Sequence, residues 1–183
     1  MRSEIMFAGF GGQGIIKAAL LLAQAAGIYE DREVAQTQSY GPEARGGACK
    51  SEVVISDSEI DYIKTRKIDA LVVMSQPALD KYKDLATPDR TVVIYDPTLI
   101  GSVSPEFLHK VAVPATRIAE EEFGRALFAN IIMLGALSGA VAPVALDSLL
   151  LALDGNVPPK TLDVNRAALR RGFELAEAAR KSA

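Results

Sequence analysis

The chain is poor in the residues that build redox and metal centres. Its 183 residues include one cysteine, Cys49, one histidine, His109, and no tryptophan. One thiol cannot close an internal disulfide, and one Cys with one His cannot assemble a zinc site or hold an iron–sulfur cluster. Any redox carrier must therefore lie elsewhere. Nor is there a block of like charge: the net charge of −3 comes from interspersed acids and bases, so no basic face announces nucleic acid or an anionic membrane. No segment reaches ~18 uncharged apolar residues, and "MRSEIMFAGF" lacks a charged leader followed by a long apolar run. The expectation is a cytoplasmic protein with no nucleic-acid or membrane partner. About half of the residues are apolar (49%), which at this length fits a single domain spanning residues 1–183.

What is present alternates between two periodicities. "EIMFAGF" is a short apolar run ending at glycines, a first strand. "GIIKAALLLAQAAG" follows with helix formers, closed by Gly27 as an expected C-terminal cap. "EVAQT" and "ACKSEVVIS" read as the second and third strands. "IDALVVMS" and "TVVIYD" are near-continuous Val- and Ile-rich runs, as in strands buried on both faces of a parallel sheet. "QPALDKYKDLA" between them reads as a crossover helix. From Arg125 the pattern turns helical in three pieces separated by Pro143 and the pair Pro158 and Pro159. The predicted fold is α/β: three layers, α/β/α, with a Rossmann-like, mainly parallel sheet, right-handed crossovers and C-terminal helices.

"GFGGQG" satisfies GxGxxG directly after a strand and at the start of a helix. Gly9, Gly11, Gly12, Gln13 and Gly14 are its candidate residues. Glycines there let the backbone approach a phosphate, and free N–H groups of the first helical turn bind the anion. A dinucleotide site also needs an acid at the end of the second strand to hold ribose hydroxyls. That end offers Gln36, Thr37 and Gln38 instead. The motif leaves three readings open: an anion or substrate-edge contact, a nicotinamide dinucleotide, or tight strand–helix packing with no ligand.

"QTQSYGPEARGGACKSEVVIS", residues 36–56, places polar and turn-forming residues and a glycine pair in front of a strand. This segment is expected to leave the carboxyl edge of the sheet beside the glycine loop, where open α/β sheets bind ligands. Tyr40 can stack or donate a hydrogen bond, Glu43 can accept one, and Arg45 can grip a carboxylate or phosphate with its planar fork. Gly46 and Gly47 allow a sharp turn or the close approach of another chain. The plainer alternative is a solvated loop whose glycines only make a turn.

Together, "AGFGGQGI" and "TQSYGPEARGGACKSEVVIS" resemble the gamma subunits of the 2-oxoacid:ferredoxin oxidoreductases, and most of all the small gamma chain of 2-oxoglutarate synthase. "FANIIMLGALSG" and "DVNRAALRRGFELA" are similar to the family's closing helices, so the likeness covers nearly the whole chain. The resemblance implies an enzyme that oxidatively decarboxylates a 2-oxoacid on thiamine diphosphate, transfers the acyl group to coenzyme A, and passes electrons through iron–sulfur clusters to ferredoxin. Its partners would be alpha, beta and ferredoxin-like delta subunits, and, through the complex, ferredoxin. The chain has no CxxC run and no GDG with a downstream Asn, so thiamine diphosphate, Mg²⁺ and the clusters are expected on those companions, with no catalytic residue here. Where this domain is fused into one long chain, it lies near the path by which coenzyme A arrives. By resemblance, coenzyme A contact falls to Gly11, Gly12, Gln13, Tyr40, Arg45, Gly46 and Gly47. A pure assembly module, and a free-standing NAD(P)-binding protein, are the alternatives.

The remaining notable residues have plainer readings. Cys49 is expected to pack in the third strand, and His109 to sit at the surface or a helix end. Asn130 and Asn165 fall in apolar helical runs, where an amide needs a buried partner or a neighbouring loop or subunit. Ser75, Gln76 and Asp96 end strands at the same edge as the glycine loop and rank as secondary pocket candidates. Gly135 and Gly139, four apart in a helix of small and apolar residues, predict close helix packing in the core.

Overall fold

A computed structural model describes residues 1–39 and 48–182. Six strands, β1 (Arg2–Phe10), β2 (Glu33–Ser39), β3 (Ala48–Ser56), β4 (Ala70–Val73), β5 (Val92–Tyr95) and β6 (His109–Ala112), form one sheet in the order β2-β3-β1-β4-β5-β6. From β1 to β6 every pairing is parallel. On the other side β3 runs antiparallel to β1, and β2 antiparallel to β3. The sheet is therefore mixed rather than all parallel. The reason lies in chain length: only residues 40–47 join β2 to β3, and a parallel partner needs a crossover of roughly a dozen or more residues.

Six helices flank the sheet: α1 (Ile15–Gln24), α2 (Gln76–Tyr82), α3 (Ala115–Phe123), α4 (Ala129–Val141), α5 (Leu146–Ala152) and α6 (Leu162–Ser182). The alternation of side chains along each strand sorts them into two layers. Ile5 and Phe7 of β1 and Val53 and Ile55 of β3 face a large core with Leu21 and Leu22 of α1, most of α4, and Leu149 and Leu169. Met6 and Ala8 of β1, with Leu71 and Val73 of β4, face a smaller core with Ala78, Leu79 and Tyr82 of α2. The expected three layers are present.

α4 is apolar around its whole circumference and is buried from Ala129 to Gly139. It lies so close to α6 that a Cβ on Gly135 would stand 2.0 Å from the Leu169 carbonyl oxygen, and one on Gly172 would stand 1.8 Å from that of Ile132. The small residues thus serve core packing, as their spacing predicts. Two elements differ from expectation. Gly27 does not cap α1, because the chain runs on through a π turn, Ala25–Tyr29, and the left-handed residue is Asp31, φ 51°. Residues 109–123, to which the sequence reading assigns no element, hold β6 and α3, and His109 opens β6 as an exposed side chain.

Candidate functional site at the carboxyl rim of the sheet

β1 ends at Phe10, and the glycine turn follows at once. Gln13 N–H donates to the Phe10 carbonyl at 3.2 Å, with Gly12 at φ 95° and Gly14 at φ 78°, a region where a Cβ is strained. Gly14 is the N-cap of α1 and offers no side-chain cap, so the first N–H groups of α1 lack an intrahelical partner. A Cβ on exposed Gly11 or Gly12 would meet nothing within 4 Å. These two residues present open backbone.

Gln13, Gly9 and Gly14 do different work. The Gln13 side chain folds back, its Oε1 accepting from Phe10 N–H at 2.7 Å and its Nε2 donating to the Met74 carbonyl at 2.8 Å. α1 packs on one face of the sheet and α2 on the other, so the crevice between the ends of β1 and β4 is the point where the topology reverses. Gln13 spans that crevice. Gly9 makes room for it: a Cβ there would stand 2.6 Å from Gln13 Oε1. Asn130, at the start of α4, donates from Nδ2 to the Gly14 carbonyl at 3.2 Å, and a Cβ on Gly14 would stand 2.2 Å from that Nδ2. Asn130 therefore serves the turn, while Asn165 donates to the Thr161 carbonyl in its own helical turn at 2.7 Å.

The loop candidates Tyr40, Glu43, Arg45, Gly46 and Gly47 lie outside the described residues. Their flanking residues are described. Ser39 stands opposite Lys50 across β2 and β3, and Ala48 stands opposite Phe10 across β3 and β1. Both chain ends bordering this segment are thus at the rim that carries the glycine turn, because two antiparallel pairings leave β2 pointing the same way as β1.

Two clefts adjoin the turn. One, of about 320 Å³, lies among Gly12, Gln13, Met74, Leu99, Thr116 and Leu127. The other, of about 310 Å³, has an apolar wall of Leu127, Phe128, Ile131, Val157 and Pro158, and carries Lys17, Arg125 and Lys160 at its margin beside Gly14. None of these three cations has an ion-pair partner among the described residues. Sequence reasoning missed them, since Arg125 and Lys160 stand more than a hundred residues from the glycine motif and no local pattern marks them.

The secondary candidates are committed to structure. Ser75 Oγ caps α2 by accepting from Ala78 N–H at 3.3 Å. Gln76 Nε2 donates to the Ser102 carbonyl at 3.1 Å. Asp96 is fully buried and accepts from Thr98 N–H at 2.9 Å and Thr116 N–H at 2.7 Å, joining β5 to α3. Cys49 is buried in β3, where burial pushes its thiol pKa up and away from the reactive thiolate.

A further cleft, of about 360 Å³, opens at the opposite, amino rim, among Arg2, Glu4, Tyr62, Arg66, Asp69 and Arg90. Four of its charges, Arg2, Glu4, Asp69 and Arg90, are joined to one another, the Arg66 guanidinium lies over the Tyr62 ring, and Asp61 and Lys67 form no side-chain ion pair among the described residues. Glu4 accepts from Arg2 Nε at 2.8 Å, from Lys67 N–H at 2.7 Å and from Arg66 N–H. Glu4 N–H donates to Asp69, which in turn accepts from Arg90. Burial pushes the Glu4 carboxyl up, but the Arg2 side chain and the two N–H donors outweigh it and hold the pKa below the usual carboxylate range. Glu52 of β3 is held low in the same way: burial opposes, and Thr65, Lys50 and Thr37 prevail. These two carboxylates fasten the loop between β3 and β4 to the sheet.

Among the described residues there is no group of three His, Cys, Asp or Glu side chains able to hold a metal ion, and no helix long and apolar enough to cross a membrane.

Fold and rim together define an open α/β sheet domain with a glycine turn at its topological switch point and, beside it, cations with no ion-pair partner among the described residues. The chain belongs to the pyruvate ferredoxin/flavodoxin oxidoreductase family, whose model matches residues 4–175. It is 47% identical over 178 residues to the 2-oxoglutarate synthase subunit KorC of Methanocaldococcus jannaschii, covering 97% of this chain and 95% of that one. Among solved structures it is similar to the keto/oxoacid ferredoxin oxidoreductase gamma subunit of Geobacter sulfurreducens, with a TM-score of 0.89, 38% identity and 98% of each chain covered. It also matches the 2-oxoglutarate:ferredoxin oxidoreductase of Magnetococcus marinus, solved with 2-oxoglutarate, coenzyme A and succinyl-CoA bound. That match has a TM-score of 0.83 and 25% identity, and covers 97% of this chain and 31% of that longer one.

Proposed function

We propose that this chain is the gamma subunit of a multisubunit 2-oxoglutarate:ferredoxin oxidoreductase and that its carboxyl rim contacts coenzyme A. In the overall reaction 2-oxoglutarate loses CO₂, its acyl carbon is oxidised by two electrons that leave toward ferredoxin, and the thiol of coenzyme A takes the succinyl group. The end-to-end likeness to gamma-type chains supports the assignment. Thiamine diphosphate, Mg²⁺ and iron–sulfur clusters belong in this proposal to the alpha, beta and delta companions, since one cysteine cannot hold a cluster.

The observation that supports the coenzyme A role is the pairing of open backbone at Gly11 and Gly12 with an apolar wall and three cations that have no ion-pair partner among the described residues. Phosphate groups suit the free N–H groups of α1 and the side chains of Lys17, Arg125 and Lys160. A flexible, largely uncharged pantetheine arm suits the apolar wall of Leu127, Phe128 and Val157. Gln13 then acts as a positioning residue that holds the turn across the ends of β1 and β4. Tyr40, Glu43, Arg45, Gly46 and Gly47 enter this proposal on sequence grounds alone.

The chain would bind and orient one substrate and perform no bond-making step itself. Steady-state kinetics of the assembled enzyme test this. Replacing Arg125 and Arg45 with Ala, separately, raises the coenzyme A KM and leaves the 2-oxoglutarate KM unchanged. Unaltered coenzyme A kinetics with intact assembly would favour the second reading, a pure docking module. That reading draws on Leu127 and Leu99, which are 60% and 40% exposed at the same rim. A nicotinamide site is disfavoured by topology, because antiparallel β3 occupies the position beside β1 that a parallel ribose-binding strand would need.

A further inference from the structure

The cleft beside Gly14 has amides among its lining as well as an apolar wall. Gly135 lies against Leu169 and Gly139 against Phe173, equal steps along both helices, so α4 and α6 run parallel. Their first turns meet at one end, and with them Asn130 and Asn165, which both line the cleft of about 310 Å³.

Both amides are more than nine-tenths buried, at 6% and 5% exposed. Each commits an N–H to the fold: Asn130 Nδ2 donates to the Gly14 carbonyl at 3.2 Å, and Asn165 Nδ2 to the Thr161 carbonyl at 2.7 Å. A carbonyl oxygen can be met only by a donor, which fixes the orientation of each amide. The two Oδ1 atoms are therefore turned away, and they accept no hydrogen bond among the described residues. Among those residues no side-chain polar atom is sealed from solvent without a partner, so both oxygens open into the cleft that the residues line. Half-buried Asn156 repeats the pattern in the same lining, its Nδ2 donating to Gln24 Oε1 at 2.5 Å and to the Ala152 carbonyl at 3.0 Å.

Oxygens without partners beside an apolar wall suit a ligand that carries N–H donors on an otherwise apolar body, because a buried acceptor left unmatched on binding is costly. They do not suit phosphate oxygens, which remain with Lys17, Arg125 and Lys160 at the margin. Nor do they suit adenine, whose one amino group adjoins ring nitrogens that are themselves acceptors. A pantetheine arm matches: it has two secondary amide N–H groups in line, and its methyl and methylene groups suit the wall. Resting on the assignment of coenzyme A to this rim, we infer that Asn130 and Asn165 accept from the two amide N–H groups of the pantetheine arm and so help select the acyl acceptor.

Asn165 is the residue to vary, since Asn130 also holds the glycine turn. Asn165→Leu removes the oxygen at similar side-chain volume. Asn165→Thr also removes it from the cleft but keeps a bond to the Thr161 carbonyl, because a Thr hydroxyl donates to the carbonyl four residues back. Calorimetry on the assembled enzyme uses two probes: desulfo-coenzyme A, which keeps the arm and cannot react, and adenosine 3′,5′-bisphosphate, which lacks it. Both variants should raise the desulfo-coenzyme A Kd about tenfold, the loss of one hydrogen bond, and leave the bisphosphate Kd unchanged. Arg125→Ala should weaken both probes. Weakening of both probes by the Asn165 variants would assign Asn165 to the nucleotide, and no weakening of either would leave its oxygen idle. A loss confined to Asn165→Leu would trace the effect to the bond within the helix. Each of these outcomes overturns the inference while Arg125→Ala still reports on coenzyme A at this rim. No effect of Arg125→Ala on either probe would remove that assignment, and the inference with it.

Discussion

The two rims of one sheet are treated in opposite ways. At the amino rim, Arg2, Glu4, Asp69 and Arg90 form a connected set of ion pairs and hydrogen bonds that ties three strand starts to the loop between β3 and β4. At the carboxyl rim, Gly11 and Gly12 present bare backbone, and Lys17, Arg125 and Lys160 lack ion-pair partners among the described residues. Both rims carry clefts of similar size. The difference lies in what is left over: at the amino rim the central charges have partners and those without an ion pair, Asp61, Arg66 and Lys67, are of both signs, whereas at the carboxyl rim three cations and bare backbone donors are left to meet an anionic ligand. Cleft volume alone would not separate the two.

That contrast is broken most severely at Gly14. Gly14→Ala places a Cβ at φ 78° against the Asn130 amide, and should cost about 3 kcal/mol of stability in urea unfolding together with coenzyme A affinity. A triple replacement of Lys17, Arg125 and Lys160 by Ala should leave the unfolding midpoint unchanged. It should weaken coenzyme A binding to the assembled enzyme roughly 100-fold by calorimetry, at about 1 kcal/mol per charged contact. Glu4→Gln should do the reverse: a stability loss of about 2 kcal/mol, because Arg2 and two N–H donors lose their anion, with an unchanged coenzyme A KM.

The smallest effect is the acid response. Glu4 and Glu52 have folded pKa values below their unfolded ones. Their contribution is therefore complete above the ordinary carboxylate pKa of about 4.3 and is lost as pH falls through the lower folded values. Acid titration of wild type and Glu4→Gln should converge below about pH 4 by roughly 1 kcal/mol. Parallel curves would place the linkage elsewhere.

Much of the carboxyl rim was legible in the sequence because its main device is local. GxGxxG after an apolar run specifies a strand, a turn and a helix start within ten residues. The Gly135 and Gly139 pair likewise declared a tight helix contact. Other features depend on chain folding over long distances. Asn130 reaches Gly14 across 116 positions, and Lys160 arrives by way of the segment that leads into α6, so no window around the motif contains them. β6 escaped because "HKVA" is four residues, two of them polar, at a sheet edge. α3 escaped because "ATRIAEEEF" has a narrow apolar stripe, although Gly124, left-handed at φ 76°, ends it. The antiparallel hairpin was decidable from the eight-residue link between β2 and β3, a length too short to carry a crossover.

Amide hydrogen exchange on the assembled enzyme, with and without coenzyme A, bears most directly on the division between the rims. Slowed exchange from Gly11 to Lys17 and around Arg125, with the amides of Glu4, Arg66 and Lys67 unchanged, is the predicted result. Protection confined to the amino rim, or none in this chain while coenzyme A is bound, would contradict it.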